Sequence, residues 1–138
     1  MLKYFIAYCA TVIVMIAIDL LWLGVIAKPL YQQGIGHLMA ERPNLPVALL
    51  FYLLFPLGLM IFAVVPNAVD MASATWSRAL VAGALFGFFA YATYDLTNLA
   101  TLKGWPLGLS IIDTLWGTLV SAAATAAGKA ALDHFTMA

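Results

Sequence analysis

Four long apolar segments fill most of the sequence and constrain its fold more than any other feature. They span about residues 4–27, 47–65, 79–102 and 107–127, and a helix needs roughly 20 apolar residues to cross the hydrocarbon core of a bilayer. Only 9% of the 138 residues are charged, whereas a soluble domain has about 25%. The sequence therefore predicts a single all-α membrane domain, an antiparallel bundle of four transmembrane helices.

The balance of charges and the scarcity of histidine and cysteine exclude several classes of function. Six Lys and Arg residues balance six Asp and Glu residues, so the chain has no basic patch that binds nucleic acid. Cys9 is the only cysteine, and the two histidines, His37 and His134, fall outside the predicted helices on opposite sides. We therefore predict no metal site, and the sequence identifies no cofactor.

Three aspartates interrupt the apolar segments. Asp19, Asp95 and Asp113 lie in the first, third and fourth segments, and each costs up to about 2.5–3.5 kcal/mol at the bilayer centre on insertion scales. Counted at ~1.5 Å per residue, they lie about 9–12 Å from helix ends on the same side of the membrane. We expect the three carboxyl groups in one layer of the bundle interior, as acid-base groups or as contacts to a polar head group.

Other polar and aromatic side chains are predicted to share this layer. Counting along the second helix places Tyr52 at a similar depth, and Pro56 deprives the Tyr52 carbonyl of its backbone donor. A tryptophan follows two of the aspartates by three residues, which places it on the same helix face. Beside the candidate catalytic residues Asp19, Asp95 and Asp113, the predicted ligand contacts are Tyr52, Tyr91, Tyr94, Asn98, Trp22, Trp105, Trp116 and Lys103.

Two further features predict how the segments pack and connect. Gly83 and Gly87 form a G-x-x-x-G pair, which is typical of close helix packing; we expect it against the small residues Gly117, Ser121 and Thr125, or else as the floor of a groove leading to the acids. The connection over residues 28–45 is the one long loop. It is either an amphipathic segment along the membrane interface or an ordinary polar connection.

Several segments together resemble a known family. AYATYDLTN at residues 90–98, followed by LKGWP at 102–106, is similar to the signature of a bacterial inner-membrane family, domain of unknown function 2177. The resemblance extends to DLLWLG at 19–24 and DTLWG at 113–117, and so covers nearly the whole chain. It implies a four-helix, multi-pass protein of the bacterial inner (plasma) membrane, and it brings no activity with it.

Three functions are compatible with an intramembrane aspartate cluster. The first is a binding or catalytic site for a membrane lipid, or for another lipid-like or amphipathic molecule. The second is a proton-coupled transporter of a small cation that acts as a homodimer; intramembrane acids suit proton coupling, and three basic residues on each side of the membrane select no orientation. The third is an accessory or assembly subunit of a larger membrane complex, in which the aspartates only fix helix register through hydrogen bonds. The sequence does not decide whether the protein is an enzyme.

Overall fold

The computed structural model describes residues 1–138, which form helices and no strands. Four helices are long and apolar enough to cross a membrane: α1 (Leu2–Ile26), α3 (Leu45–Asn67), α4 (Trp76–Thr101) and α5 (Leu107–Met137). A short helix, α2 (Lys28–Ile35), lies between the first two. The predicted all-α bundle of four membrane-crossing helices is confirmed.

The four long helices form an up-and-down bundle in which neighbours run antiparallel. α5 packs against both α1 and α4, and α3 closes the ring by contacting α1 and α4. Asp19 near the end of α1 meets Trp116 near the start of α5, whereas Thr11 of α1 lies beside Gly128 far along α5. The C-terminal half of α1 and the N-terminal half of α5 therefore occupy the same end of the bundle.

Small residues bring α4 and α5 together, as the spacing of Gly83 and Gly87 predicts. Gly83 lies against Thr125 and the backbone of Ser121, and Gly87 lies against Ser121 and the carbonyl of Gly117. A Cβ atom added at either glycine would overlap these atoms. The predicted packing is confirmed, because only a residue without a side chain allows so close an approach.

α5 is longer than the sequence pattern predicts. The helix continues through Met137, so the predicted end at residue 127 is corrected, whereas the other predicted helix ends lie close to the observed ones. The continuation is possible because its charges are paired inside the protein. Lys129 Nζ donates to the Asn67 carbonyl oxygen at 2.5 Å and to Asp133 Oδ2 at 2.8 Å. Both charged side chains are buried.

α3 and α4 diverge toward the end of the bundle that carries α2. Their close backbone contacts are concentrated at the π-helical turn Met60–Val64, which follows Pro56 in α3. At the level of Gly58 the ring of Phe86 fills the space between the two helices. Beyond that level the earlier part of α3 makes few backbone contacts with α4. A gap between these two helices therefore opens on the outside of the bundle.

Candidate functional site

A cavity of about 540 Å³ lies among the helices at the end of the bundle nearest α2. The residues that line it from α3 and α4 are Val47, Ala48, Phe51, Tyr52, Phe55, Ala90, Tyr91 and Tyr94. Those that line it from α1, α2 and α5 are Asp19, Leu23, Tyr31, Asp113 and Trp116. Ligand pockets measure about 300–1,000 Å³, so this cavity is large enough for a small molecule or the head of a larger one.

Asp19 is held in the cavity wall by donors from two other helices. The Tyr52 hydroxyl on α3 donates to Asp19 Oδ2 at 3.1 Å, and Trp116 Nε1 on α5 donates to Asp19 Oδ1 at 2.8 Å. The residue is only 3% exposed. An ionised carboxylate offers about four lone-pair sites, and these two bonds leave the others available. Three helices therefore meet at the level of Asp19.

Trp22 lies behind Trp116 and does not line the cavity. The two indole rings stack with 4.3 Å between centroids and 5° between planes. Trp22 begins the π-helical turn at the end of α1, and its buried Nε1 lies close to Tyr31 of α2 but has no well-formed hydrogen bond. Its evident contribution is to support the ring of Trp116, which in turn binds Asp19.

Asp113 reaches the cavity from α5 and accepts a hydrogen bond from the hydroxyl of Tyr31. Tyr31 is on α2, outside the membrane-crossing helices. Burial, followed by the hydrogen bond to Asp113 and the charge of that carboxylate, raises the pKa of the Tyr31 phenol above its ordinary value. The hydroxyl therefore keeps its proton and acts as a donor.

Tyr31 is the main site residue that sequence reasoning missed. The connection over residues 28–45 contains a short helix, α2, that docks on the bundle, where Gly34 packs against Pro106 and Leu109. An aromatic residue two positions after Pro29, in a loop facing the acidic end of the bundle, was the available signal. Periodicity within the loop does not reveal which side chain turns inward.

Asp95 lies next to Asp113 but outside the cavity lining. It is 0% exposed, and its Oδ2 accepts a hydrogen bond from the Thr114 hydroxyl at 3.3 Å. Its side chain is within hydrogen-bonding reach of the Asp113 carboxyl group, while Oδ1 has no donor. Two carboxyl groups at this separation are not both ionised without a counter-charge, so they share a proton or a cation.

No basic side chain reaches the three aspartates. The ion pairs of the protein, Lys3 with Asp70 and Lys129 with Asp133, lie elsewhere. The predicted contact Lys103 is exposed in the turn between α4 and α5 and does not line the cavity. No group of three or more His, Cys, Asp or Glu side chains is arranged to hold a metal ion. Protons or a group from outside the chain must therefore neutralise the carboxylates.

Tyr91 and Tyr94 line the cavity from α4. The Tyr91 ring packs against Gly117 of α5 and meets Phe55 of α3 edge-on, with 6.0 Å between centroids. Tyr94 is half exposed, and its ring meets the ring of Trp105 edge-on at 5.7 Å. The two tyrosines thus form the α4 side of the cavity from its interior to its mouth.

Trp105 and Asn98 are not brought into the cavity. Trp105 is buried in the turn before α5, where its Nε1 donates to Ser110 Oγ at 3.0 Å. Asn98 lies one helical turn beyond Tyr94, toward the same turn, and is absent from the cavity lining. Both residues support the α4 end of the site through Tyr94 rather than through direct exposure to the cavity.

Comparison with known proteins gives one family. The family described as a predicted membrane protein (DUF2177) matches residues 4–130, a range that includes every residue lining the cavity. No curated protein and no solved structure matches the chain. Because the family match spans most of the sequence, the resemblance noted above is confirmed, and this chain belongs to the DUF2177 family of membrane proteins.

Proposed function

We propose that this protein binds an amphipathic molecule of the membrane, with the polar head of that molecule at Asp19 and Asp113. One observation carries the proposal: the cavity has carboxyl groups on its α1 and α5 side and apolar side chains, among them Phe51 and Phe55, on its α3 side. A pocket that is polar on one side and apolar on the other suits a molecule of the same character.

The route of entry supports a ligand from the lipid phase. The cavity borders the gap between α3 and α4, and its exposed lining residues include Val47, Phe51 and Tyr94 on these two helices and Leu23 on α1. A membrane molecule therefore reaches the cavity sideways, without leaving the bilayer. We propose the inner membrane of a bacterium as its location, as the sequence resemblance implies.

The paired carboxyl groups extend the proposal from binding to acid-base catalysis. Asp113 lines the cavity, and Asp95 lies behind it as a neighbour that shares a proton or a cation. A titratable group in a cavity with a buried partner is a typical candidate for acid-base catalysis. Asp113 is the residue that we expect to contact a reacting group, and Asp95 is its positioning partner.

The same pair supports a second candidate, proton-coupled transport of a small cation. Tyr31, Asp113 and Asp95 form a continuous series from the cover of the cavity to the bundle interior. A proton shared within such a series exchanges for a cation when the cation binds, and intramembrane acids commonly serve this role. Proton uptake by proteoliposomes in the presence of a small cation gradient distinguishes transport from binding.

Filling the cavity tests the primary proposal. The Ala90→Trp variant places an indole in the cavity lining, whereas Ala100→Trp, also on α4, places it on the exposed surface away from the cavity. The proteins are extracted with their native lipids and analysed by native mass spectrometry. We expect a bound molecule on wild type and Ala100→Trp that is absent from Ala90→Trp. Equal occupancy in all three, or no bound molecule in any, contradicts the proposal.

A further inference from the structure

We infer that the head group taken by the cavity is an ammonium cation. The inference rests on the proposed function, because it specifies the chemical class of the amphipathic ligand: a positively charged nitrogen, primary to quaternary, attached to an apolar tail. Three independent features of the cavity lead to it. They are the use of its hydrogen-bond donors, the character of its walls and the absence of basic residues from its lining.

Of the five side chains in the lining that carry a hydrogen-bond donor, the three nearest the carboxyl groups are engaged within the protein, and Tyr91 and Tyr94 are the other two. Tyr31 donates to Asp113, while Tyr52 and Trp116 donate to Asp19. What these groups present to the cavity is the remaining lone pairs of two carboxyl groups and two phenolic oxygens. A head group that binds at Asp19 or Asp113 must therefore supply the donors or the positive charge itself.

The walls of the cavity are aromatic. Seven of its thirteen lining residues are Tyr, Phe or Trp. Among them Phe51, Tyr52 and Phe55 form a contiguous group with ring centroids 5.0 and 5.4 Å apart. The faces of aromatic rings attract cations, and aromatic cages are a known means of binding quaternary ammonium groups.

An anionic head group is disfavoured by the same lining. No Lys, Arg or His lines the cavity, and Lys28 and Lys103 at the nearby helix ends are exposed to the surroundings. A phosphate or carboxylate would lie against Asp19 and Asp113 with no cation to offset the repulsion. The cavity therefore selects against the phosphate of a phospholipid, even though it opens toward lipid.

A buried acceptor behind the cavity adds to the demand for positive charge. Asp95 is fully buried, and its Oδ1 has no hydrogen-bond donor. It lies within hydrogen-bonding reach of Asp113, which lines the cavity. An unpaired carboxyl oxygen in the interior is costly unless positive charge or a proton is close to it. Either a proton shared with Asp113 or an ammonium group at Asp113 meets this requirement.

Binding of four probes to the protein in nanodiscs tests the inference, with protein-free nanodiscs to correct for partitioning. Three probes share a dodecyl tail: dodecyltrimethylammonium, dodecanol and dodecyl phosphate. The fourth, tetramethylammonium, has no tail. We expect dodecyltrimethylammonium to bind at least about tenfold more tightly than dodecanol, and dodecyl phosphate to bind most weakly. A hydrogen bond or contact to a charged group changes affinity by roughly 10- to 100-fold.

Aspartate variants assign the effect to the cavity. Asp19→Asn and Asp113→Asn keep the shape of the side chain and remove its charge, and each is expected to weaken dodecyltrimethylammonium binding by about 10-fold or more. Asp70→Asn is the matched control, because Asp70 is exposed and far from the cavity lining. If a cavity variant does not fold, the order of the probe affinities for wild type alone tests the inference.

The outcomes separate this inference from the proposed function. Equal or tighter binding of dodecanol or dodecyl phosphate, still blocked by Ala90→Trp, overturns the ammonium assignment and leaves the amphipathic site intact. Binding of tetramethylammonium as tight as that of its dodecyl analogue supports the ammonium assignment and overturns the amphipathic one. If no probe binds beyond protein-free nanodiscs, both proposals fail.

Discussion

The hydroxyl of Tyr31, in the short helix between the first two membrane crossings, donates a hydrogen bond to Asp113 of the last one. This bond joins α2 to α5 across 82 residues of sequence. It places a helix that does not cross the membrane over one end of the cavity, and it engages one of the two carboxyl groups in the lining. α2 is therefore a docked cover rather than a free connection.

Removing the Tyr31 hydroxyl should release α2. The Tyr31→Phe variant loses a hydrogen bond to a carboxylate, which typically contributes about 1.5–3 kcal/mol. We expect backbone amides of residues 28–35 to exchange with deuterium faster than in wild type, while α4 and α5 are unchanged. The control is Tyr4→Phe, since Tyr4 is exposed and forms no side-chain hydrogen bond. Unaltered exchange in α2 would show that the bond does not hold the cover.

The close approach of α4 and α5 makes Gly87 sensitive to a single methyl group. A Cβ atom at this position overlaps the Gly117 carbonyl and the Ser121 side chain, so Gly87→Ala should lower the free energy of unfolding by about 1–3 kcal/mol. Helix circular dichroism during titration with sodium dodecyl sulfate in mixed micelles measures the loss. Gly108→Ala is the control, because no atom lies within 4 Å of its Cβ position. Equal stability of the two variants would contradict the described packing.

The buried pair of Lys129 and Asp133 should contribute far more to the free energy of unfolding than the exposed pair of Lys3 and Asp70. Lys129 is 2% exposed and lies 2.8 Å from Asp133, and breaking a buried pair typically costs about 3–5 kcal/mol. The Lys3–Asp70 distance is 3.6 Å at the surface, where such a pair contributes about 0–1 kcal/mol. Detergent unfolding of Lys129→Met and Lys3→Met measures both effects. Similar losses for the two variants would contradict a structural role for Lys129.

Asparagine at position 95 should preserve the fold. In Asp95→Asn the new amide is able to donate to Asp113 without a shared proton, so we expect stability within about 1 kcal/mol of wild type, whereas Asp95→Ala leaves Asp113 and Thr114 without their partner and loses roughly 1–3 kcal/mol. Unfolding measurements compare the two. A severe loss in Asp95→Asn would mean that both carboxylates are ionised around a cation.

The Asp95→Asn variant also distinguishes the functions. Its amide does not titrate, so proton-coupled transport would be lost from proteoliposomes of a folded variant. Binding of an amphipathic ligand to Asp19 and Asp113 would persist, and an assembly role would tolerate the exchange. Asp70→Asn is the control for removing one exposed carboxylate. Proton uptake that is unchanged from wild type in Asp95→Asn would exclude this carboxyl group from a proton pathway.

Depth within the bundle was predictable from sequence, but rotation about the helix axes was not. The constant rise of ~1.5 Å per residue places Asp19, Tyr52 and Asp113 at one level, and all three line one cavity in the structure. Asp95 is predicted at the same level, yet it does not line the cavity and instead accepts a hydrogen bond from Thr114 of α5. The direction of a side chain depends on how its helix is turned against its neighbours, and that is set by packing between distant segments.

The docking of the connecting segments on the bundle was also not predictable from the sequence. α2 is held by contacts of Tyr31 and Gly34 with α5 and the turn before it, and neither contact leaves a periodic pattern. The predicted end of α5 at residue 127 was too early, because the sequence does not reveal that Lys129 is buried. Its partners, Asn67 and Asp133, satisfy it inside the protein, and one of them comes from another helix.

The sequence by itself determined the class of protein, the number of membrane-crossing helices and the level of the acids, because chain hydrophobicity and helix rise are local properties. Only the tertiary structure decided that Asp19 and Asp113 line one cavity while Asp95 lies behind it. The tertiary structure also decided that α2 covers this cavity and that α3 and α4 diverge next to the cavity. These features depend on contacts between residues far apart in the chain, which local patterns of apolar and polar residues do not record.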